Sequence, residues 1–443
     1  MKIKRKRDWS FLRVLKYNSF VYFILNITIL LPLVPKILIS NNIYINPIEV
    51  VIFFFILFSI FLFKKNVLFV HSIQRYFIFI FIIEFFFTII SVLNFFDISG
   101  LLKLTKYILY ISMFYIGYNY LRIKDLKKII VIGSISMLIN IIFYIHNIFN
   151  NGFSIWDIKN LSSGFVNRYI DFSTMSFSTI SAGAHAIWGD YCVFIFVLSI
   201  SLFYLKKISY LNLLFIILLV LINLAISVAR TSLLTFFIFL VLSLIYHLII
   251  VKKINRKIFF LGIYVLLLIS LLIGSFYESL PMIKKIFYTL DSFLNSGQES
   301  NITARVQVWI VSLYSLFLHP LYILIGSGYN NLEFLNRINE ANIYFNFSKY
   351  PSVPESFYLE TLMYGGIIAL FLLCIFSFLA IYYSLSQKNI LSKYFGFFLI
   401  SEIVVNLLSG SIMRSDLVLF HIMLLLGFII RMKYEEKYIV SNS

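Results

Sequence analysis

The chain has little of what a water-soluble domain needs. Charged residues are 13% of the 443, about half the usual share for soluble proteins. Acidic residues are the scarcest: 19 Asp and Glu stand against 37 Lys and Arg. Only two cysteines occur, Cys192 and Cys374. Both lie inside apolar runs, so no disulfide framework is implied. The six histidines, His71, His146, His185, His247, His319 and His421, are scattered and show no metal-ligand spacing. There is no glycine-rich nucleotide loop, no zinc motif and no serine-nucleophile elbow. No internal repeat and no low-complexity linker is visible. These absences exclude the common nucleotide-, zinc- and serine-dependent enzyme classes, and the sequence implies neither a metal nor a cofactor.

Apolar surface is what the chain has. Hydrophobic residues are 61% and aromatics 19%, with a mean hydropathy of +0.94. A soluble core cannot absorb that much, so the fold class is an all-α polytopic integral membrane protein. The net charge of +18 is read as orientation, because Lys and Arg collect in cytoplasmic loops. No nucleic-acid partner is implied. Joint overuse of Phe, Ile, Asn, Lys and Tyr points to an AT-rich bacterial genome. The basic N-terminus, MKIKRKRDWSFLRVLKY, precedes an apolar run without a small-residue cleavage site. It reads as a retained first helix and not as a signal peptide.

A span needs ~20 apolar residues. About twelve candidates follow: 17–39, 48–63, 76–96, 104–121, 128–149, 187–205, 210–226, 231–251, 258–276, 357–386, 391–409 and 415–431. With the N-terminus inside, most of the 37 basic residues fall in short inside segments. Both termini are then cytoplasmic in a bacterial cytoplasmic membrane. Two extracytoplasmic loops are large: 150–186, and 277–356 between spans nine and ten. All of 1–443 reads as one membrane domain. Residues 304–325 compete as a thirteenth span, but Pro320 breaks the run. Val306, Trp309, Ile310, Leu313, Leu316 and Phe317 share one helical face. Residues 304–318 therefore read as an amphipathic helix on the outer membrane surface.

The candidate chemistry lies on that outer side. Arg230, in SVARTSLLTF, occupies the tight turn between spans seven and eight. It either marks the water-facing turn or grips an anion, because guanidinium forks onto phosphate oxygens. Arg414 occupies the next short outer turn, and Arg168 and Arg337 lie in the large loops. Arg305 precedes Trp309 by one helical turn, so it either stacks on the indole or meets a ligand. Glu355 stands just before span ten. It is a helix-end carboxylate favoured by the dipole or a general base. Glu84 and Glu402 are intramembrane acids that must be protonated, paired or facing a cavity. Glu402 and Asn406 share a helix face near the outer end. Gly326 and Gly328 suit a tight turn, and Gly365 and Gly366 suit close helix contact.

Taken together, SxxRTSLL (227–234), RxxxW (305–309), GxGYNN (326–331) and ESFYLETLMYGGI (355–367) resemble the O-antigen polymerase and ligase superfamily. The resemblance is strongest over 220–380 and is nearest to Wzy-type polymerases of O-antigen and capsular polysaccharide. It implies a metal-independent membrane glycosyltransferase. Its donor is a glycan on undecaprenyl diphosphate, and its acceptor is a lipid-linked repeat unit at the outer face. The implied roles are Arg230 and Arg305 on the leaving diphosphate. Topology adds Arg414, and the site candidates also include Glu355 as base with Arg168, Arg337, Trp309 and Glu402 around the substrate. A chain-length regulator and a flippase are the implied protein partners, beside membrane lipids. Ligases of the superfamily carry a histidine in the large loop before the span. Here that position reads Pro354-Glu355-Ser356, and the loop's histidine is His319. This favours polymerase over ligase. A lipid-linked oligosaccharide flippase fits less well, since it needs no long outer loop. An ion-coupled transporter using Glu84 and Glu402 fits least.

Overall fold

A computed structural model describes residues 19–40, 43–63, 72–95, 99–151, 168–171, 176–179, 184–227, 229–251, 300–328, 331–347, 356–407 and 416–441. These are almost entirely helical. In chain order they form α1 (Ser19–Ile29), α2 (Pro47–Phe63), α3 (Ser72–Phe95), α4 (Ser99–Tyr120) and α5 (Ile123–Asn151). Next come α6 (Ala184–Tyr204), α7 (Tyr210–Ser227) and α8 (Arg230–Ile245), which runs into a π turn at Tyr246–Val251. After them come α9 (Ser300–Leu318), α10 (Pro320–Ile325) and α11 (Asn331–Asn342). The chain continues in α12 (Phe357–Leu385), α13 (Ile390–Asn406) and α14 (Asp416–Ser441).

Among the described residues, seven helices are long and apolar enough to cross a membrane: α3, α5, α6, α7, α8 joined to its π turn, α12 and α14. The chain is a polytopic membrane protein. Helices also stand at the positions expected for the other spans except 258–276, which lies outside the described residues. The first of them is shorter than expected. It stops at Ile29, turns through a 3-10 segment at Leu31–Leu33, and becomes strand β1.

That strand is the part of the fold an all-helical reading omits. β1 (Lys36–Ser40) and β2 (Ile43–Ile45) follow α1, and β3 (Arg168–Asp171) and β4 (Ser176–Thr179) follow α5. They form one sheet in the order β2-β1-β3-β4. The outer pairs are antiparallel and the β1–β3 pair is parallel. Pairing puts the connections after α1 and after α5 beside each other, with the four helices α2 to α5 between them in the chain.

The helices α6 and α14 form the centre, with most of their residues buried. Both are apolar around the full circumference, which suits a helix covered on all sides. The helix α14 packs along α4, α12 along α3, and α6 against α5, α7, α8 and α13. The α4–α14 contact is close because Gly117 and Gly427 face each other's backbones. A Cβ on Gly117 would overlap the Leu424 carbonyl, and one on Gly427 the Phe114 carbonyl. Small residues at such crossings are the usual route to tight packing in lipid. The remaining helices leave Phe, Ile and Leu side chains exposed, among them Phe54, Phe86, Ile142, Phe237 and Phe378. Apolar exposure on this scale marks a surface made for hydrocarbon.

Candidate functional site

Two groups of helices carry the residues singled out above. The first is built around the start of α8. The turn is as tight as expected: α7 ends at Ser227 and α8 begins at Arg230. Ala229 is the extended residue that opens the helix and is buried, while Arg230 is partly exposed. The helix start is clamped to α6. Ser232 Oγ donates to Asp190 Oδ1 at 2.7 Å and lies 3.0 Å from the Ala186 carbonyl. Gly189 makes room for this, since a Cβ there would overlap the Ser232 side chain.

The helix α13 completes this group by packing on both α6 and α8. It brings Glu402, which is buried and close enough to Asp190 for the two carboxyls to interact. Asn406 Nδ2 donates to the Glu402 carbonyl at 2.6 Å and reaches its Oε2 at 3.3 Å. Deeper in the group Asn223 ties three helices together. Its Oδ1 accepts from Asn140 Nδ2 at 2.9 Å and from Trp188 Nε1 at 3.0 Å. Its own amide donates to the Leu219 carbonyl at 2.9 Å. His421 Nδ1 donates to the Leu417 carbonyl at 2.7 Å, and its ring packs beside Tyr191 and Phe194. Glu402 was visible in the sequence. Asp190, Ser232 and Asn223 were missed, although a lone acid in AIWGDYCVFIF is the signal that intramembrane charge gives.

The second group is the α9–α10–α11 unit. As the His319-Pro320 pair suggests, α9 ends at Leu318, and α10 starts with Pro320 in its first turn, where a missing N–H costs nothing. His319 Nε2 lies 3.0 Å from Glu340 Oε2, tying the α9–α10 joint to α11. Arg305 is partly exposed near the start of α9, and Trp309 is half-buried one turn on. Arg337 of α11 is buried. Its guanidinium lies 4.1 Å from the centre of the Tyr322 ring and 3.6 Å from Glu333 Oε1. Burial lowers its pKa while Glu333 opposes that shift. Burial, with Glu333 beside it, raises the pKa of Tyr322. The Tyr322 ring under the Arg337 guanidinium thus joins α10 to α11, and the Glu333 ion pair holds that guanidinium from within α11.

This unit is locked to the membrane helices by glycine. Gly326, Gly328 and Gly366 have φ of 68°, 72° and 70°, a region other residues rarely enter. Gly366 breaks α12. At the break, the Ser327 N–H donates to the Met363 carbonyl at 3.1 Å and the Gly328 N–H to the Tyr364 carbonyl at 2.8 Å. The closeness is reciprocal. A Cβ on Gly326 would overlap the backbone of Tyr364, one on Gly366 the backbone of Leu324, and one on Gly328 the backbone of Phe87 and Thr88 in α3. Glu84 completes the contact, buried on α3 with its Oε1 3.3 Å from the position of a Cβ on Gly365.

The structure therefore gathers Arg305, Trp309 and Arg337 on one unit, and Arg230 and Glu402 on the other. The helix α12, to which the second unit is locked, packs on α13 of the first. Arg168 opens β3. Glu355 and Arg414 lie outside the described residues. They are bracketed by Ser356, which opens α12, and by the ends of α13 and α14. Among the described residues no three His, Cys, Asp or Glu side chains gather as a metal-ligand set.

Residues 213–374 match a protein-family model described as O-Antigen ligase. The match begins in α7, takes in α8 and the α9–α11 unit, and ends inside α12. No curated protein matches the chain.

Proposed function

From the match over 213–374 to a family model described as O-Antigen ligase, we propose that this chain is a polysaccharide polymerase of the O-antigen ligase and polymerase superfamily. It moves a growing glycan from undecaprenyl diphosphate to a lipid-linked repeat unit at the outer face of the bacterial cytoplasmic membrane. The observation that carries this reading is where the match falls. It covers the helix headed by Arg230 and the glycine-locked unit bearing Arg305.

In the proposed reaction a hydroxyl of the acceptor sugar attacks the anomeric carbon of the donor. The bond from that carbon to the diphosphate oxygen breaks, and the lipid diphosphate leaves with the electron pair. Arg230 and Arg305 stabilise the charge that develops on it, with Arg414 and Arg168 beside them. No metal is required, since guanidinium supplies the charge and the fork. Glu355 takes the proton from the attacking hydroxyl. Trp309 offers a ring for sugar or lipid contact. Arg337 and Glu402, both buried, serve as positioning residues that hold the α10–α11 and α6–α13 contacts.

The choice of polymerase over ligase rests on histidine. The loop's histidine, His319, is engaged with Glu340 at the α9–α10 joint, and the position before α12 is Glu355. A chain-length regulator and a flippase are its proposed working partners. The test is reconstitution. Purified protein in proteoliposomes receives lipid-linked repeat units and no other acceptor. A ladder of lipid-linked oligomers is the expected product. Product formed only after a lipid A core acceptor is added would make the protein a ligase.

A further inference from the structure

The depth of the glycine lock bears on where the α9–α10 segment sits. The helix α3 is a candidate span from Ile73 to Ile90. Gly365 meets it at Glu84, about 16 Å along the helix from Ile73, and Gly328 meets it at Thr88, about 22 Å along. The hydrocarbon layer is about 30 Å thick. Measured from the other end, Gly366 lies about 13 Å down α12 from Phe357, and Glu84 about 9 Å down α3 from Ile90. Both rulers put the end of α10 well inside the leaflet on the loop side.

The backbone there is built for that depth. Irregular chain within hydrocarbon must satisfy its own polar groups. The Gly326 N–H donates to the Tyr322 carbonyl at 2.9 Å, and those of Ser327 and Gly328 donate to α12. Ser327 Oγ lies 3.1 Å from the Met363 carbonyl. One face of α9 and α10 is apolar and uncovered: Ile310, Leu313, Phe317, Leu321 and Leu324 are exposed, Phe317 to 70% and Leu321 to 67%. The opposite face of α9, with Val308, Val311 and Leu316, is buried. The uncovered face continues into the membrane surface of α12. Leu324 meets Gly366, and the next residues, Ile367 and Ile368, are exposed apolar side chains of a candidate span.

We propose that α9 and α10 form a re-entrant segment. It enters the loop-side leaflet instead of lying flat on it, and its uncovered apolar face is solvated by the acyl chains of that leaflet. Arg305 lies about 19 Å along α9 from Leu318. The helix is long enough to hold its deep end in hydrocarbon while its guanidinium stands among headgroups. The proposal does not depend on the reaction assigned above.

The test is a depth measurement on the full chain. Cys192 and Cys374 are replaced by alanine, and single nitroxide labels are placed by V306C, L313C, F317C, L321C and L324C in phosphatidylethanolamine–phosphatidylglycerol vesicles. I368C on α12 serves as the internal ruler. Collision rates with oxygen and with a water-soluble nickel complex report depth. The expected result is a rising oxygen-to-nickel ratio from 306 to 324, with 321 and 324 matching 368. Three results would overturn the proposal: headgroup-level ratios at every position, nickel-rich collisions at 317–324, or labels shielded from both probes. The last would mean that protein covers the face.

Discussion

Gly366 and Leu324 touch backbone to backbone, at a point where one belongs to a membrane helix and the other to the loop that precedes it. The break at Gly366 frees carbonyls of α12, and the turn after Leu324 uses them. Nothing larger than hydrogen fits at Gly366, and its φ of 70° is itself unfavourable for other residues.

Gly366→Ala therefore strains the backbone and forces the 326–328 turn away from α12. A loss of roughly 1–3 kcal/mol for the backbone conformation alone is expected, with the overlap adding to it. Thermal unfolding of the purified protein in detergent should show a midpoint several degrees lower. An unchanged midpoint would mean the lock contributes nothing.

Ser232→Ala removes the hydroxyl that Asp190 accepts from. Losing one hydrogen bond to a buried acceptor costs about 0.5–1.5 kcal/mol. The variant should unfold at lower denaturant concentration with an unchanged slope. A second effect is expected on activity, because the same contact clamps the helix that Arg230 opens.

The Arg337–Glu333 pair is buried on both sides. Breaking such a pair by removing one partner costs about 3–5 kcal/mol, whereas replacing both with apolar residues is often close to neutral. Arg337→Met should be strongly destabilising, and the double variant Arg337→Met with Glu333→Leu should recover most of the loss. A double-mutant cycle read by unfolding free energy checks this. Additive losses would contradict the pairing.

Much of the scaffold was legible because its signals are local. The Pro320 break between α9 and α10, the tight turn ahead of Arg230 and the glycines of the 326–328 turn are each set by residues next to one another. What stayed hidden depends on distant partners. The strands β1 and β3 are short and pair across more than a hundred residues, with four helices between them. Gly326, Gly328, Gly365 and Gly366 were each assigned a close contact or a turn, but no spacing reveals that the two pairs meet. Asp190 looked like part of an apolar run until Ser232 and Glu402 were placed beside it. The exposed side of α9 matches the amphipathic face read from the sequence at Val306, Ile310, Leu313 and Phe317. Leu316 instead turns inward.

Arg230→Lys and Arg305→Lys separate a phosphate fork from a charge that only marks a turn. Each variant keeps the charge and loses the bidentate geometry. With lipid-linked repeat units as substrate, kcat should fall about 100-fold or more, the range seen when one donor to a developing oxyanion is removed. KM should change little. Wild-type kcat in both would return the arginines to being surface markers.

Glu355→Gln tests the proposed base. The amide cannot accept the proton, so polymerisation should be abolished while lipid-linked substrate still binds. Binding is measured by co-purification of the lipid with the variant.

The most direct test of the central claim is mass spectrometry of undecaprenyl-linked glycans in a strain lacking this protein, with leaflet accessibility probed by external enzymes. A polymerase leaves single repeat units accumulating at the outer face, and that is the expected result. Long lipid-linked chains that never reach their final acceptor would make the protein a ligase, and single units trapped at the inner face would make it a flippase. Either result contradicts the polymerase.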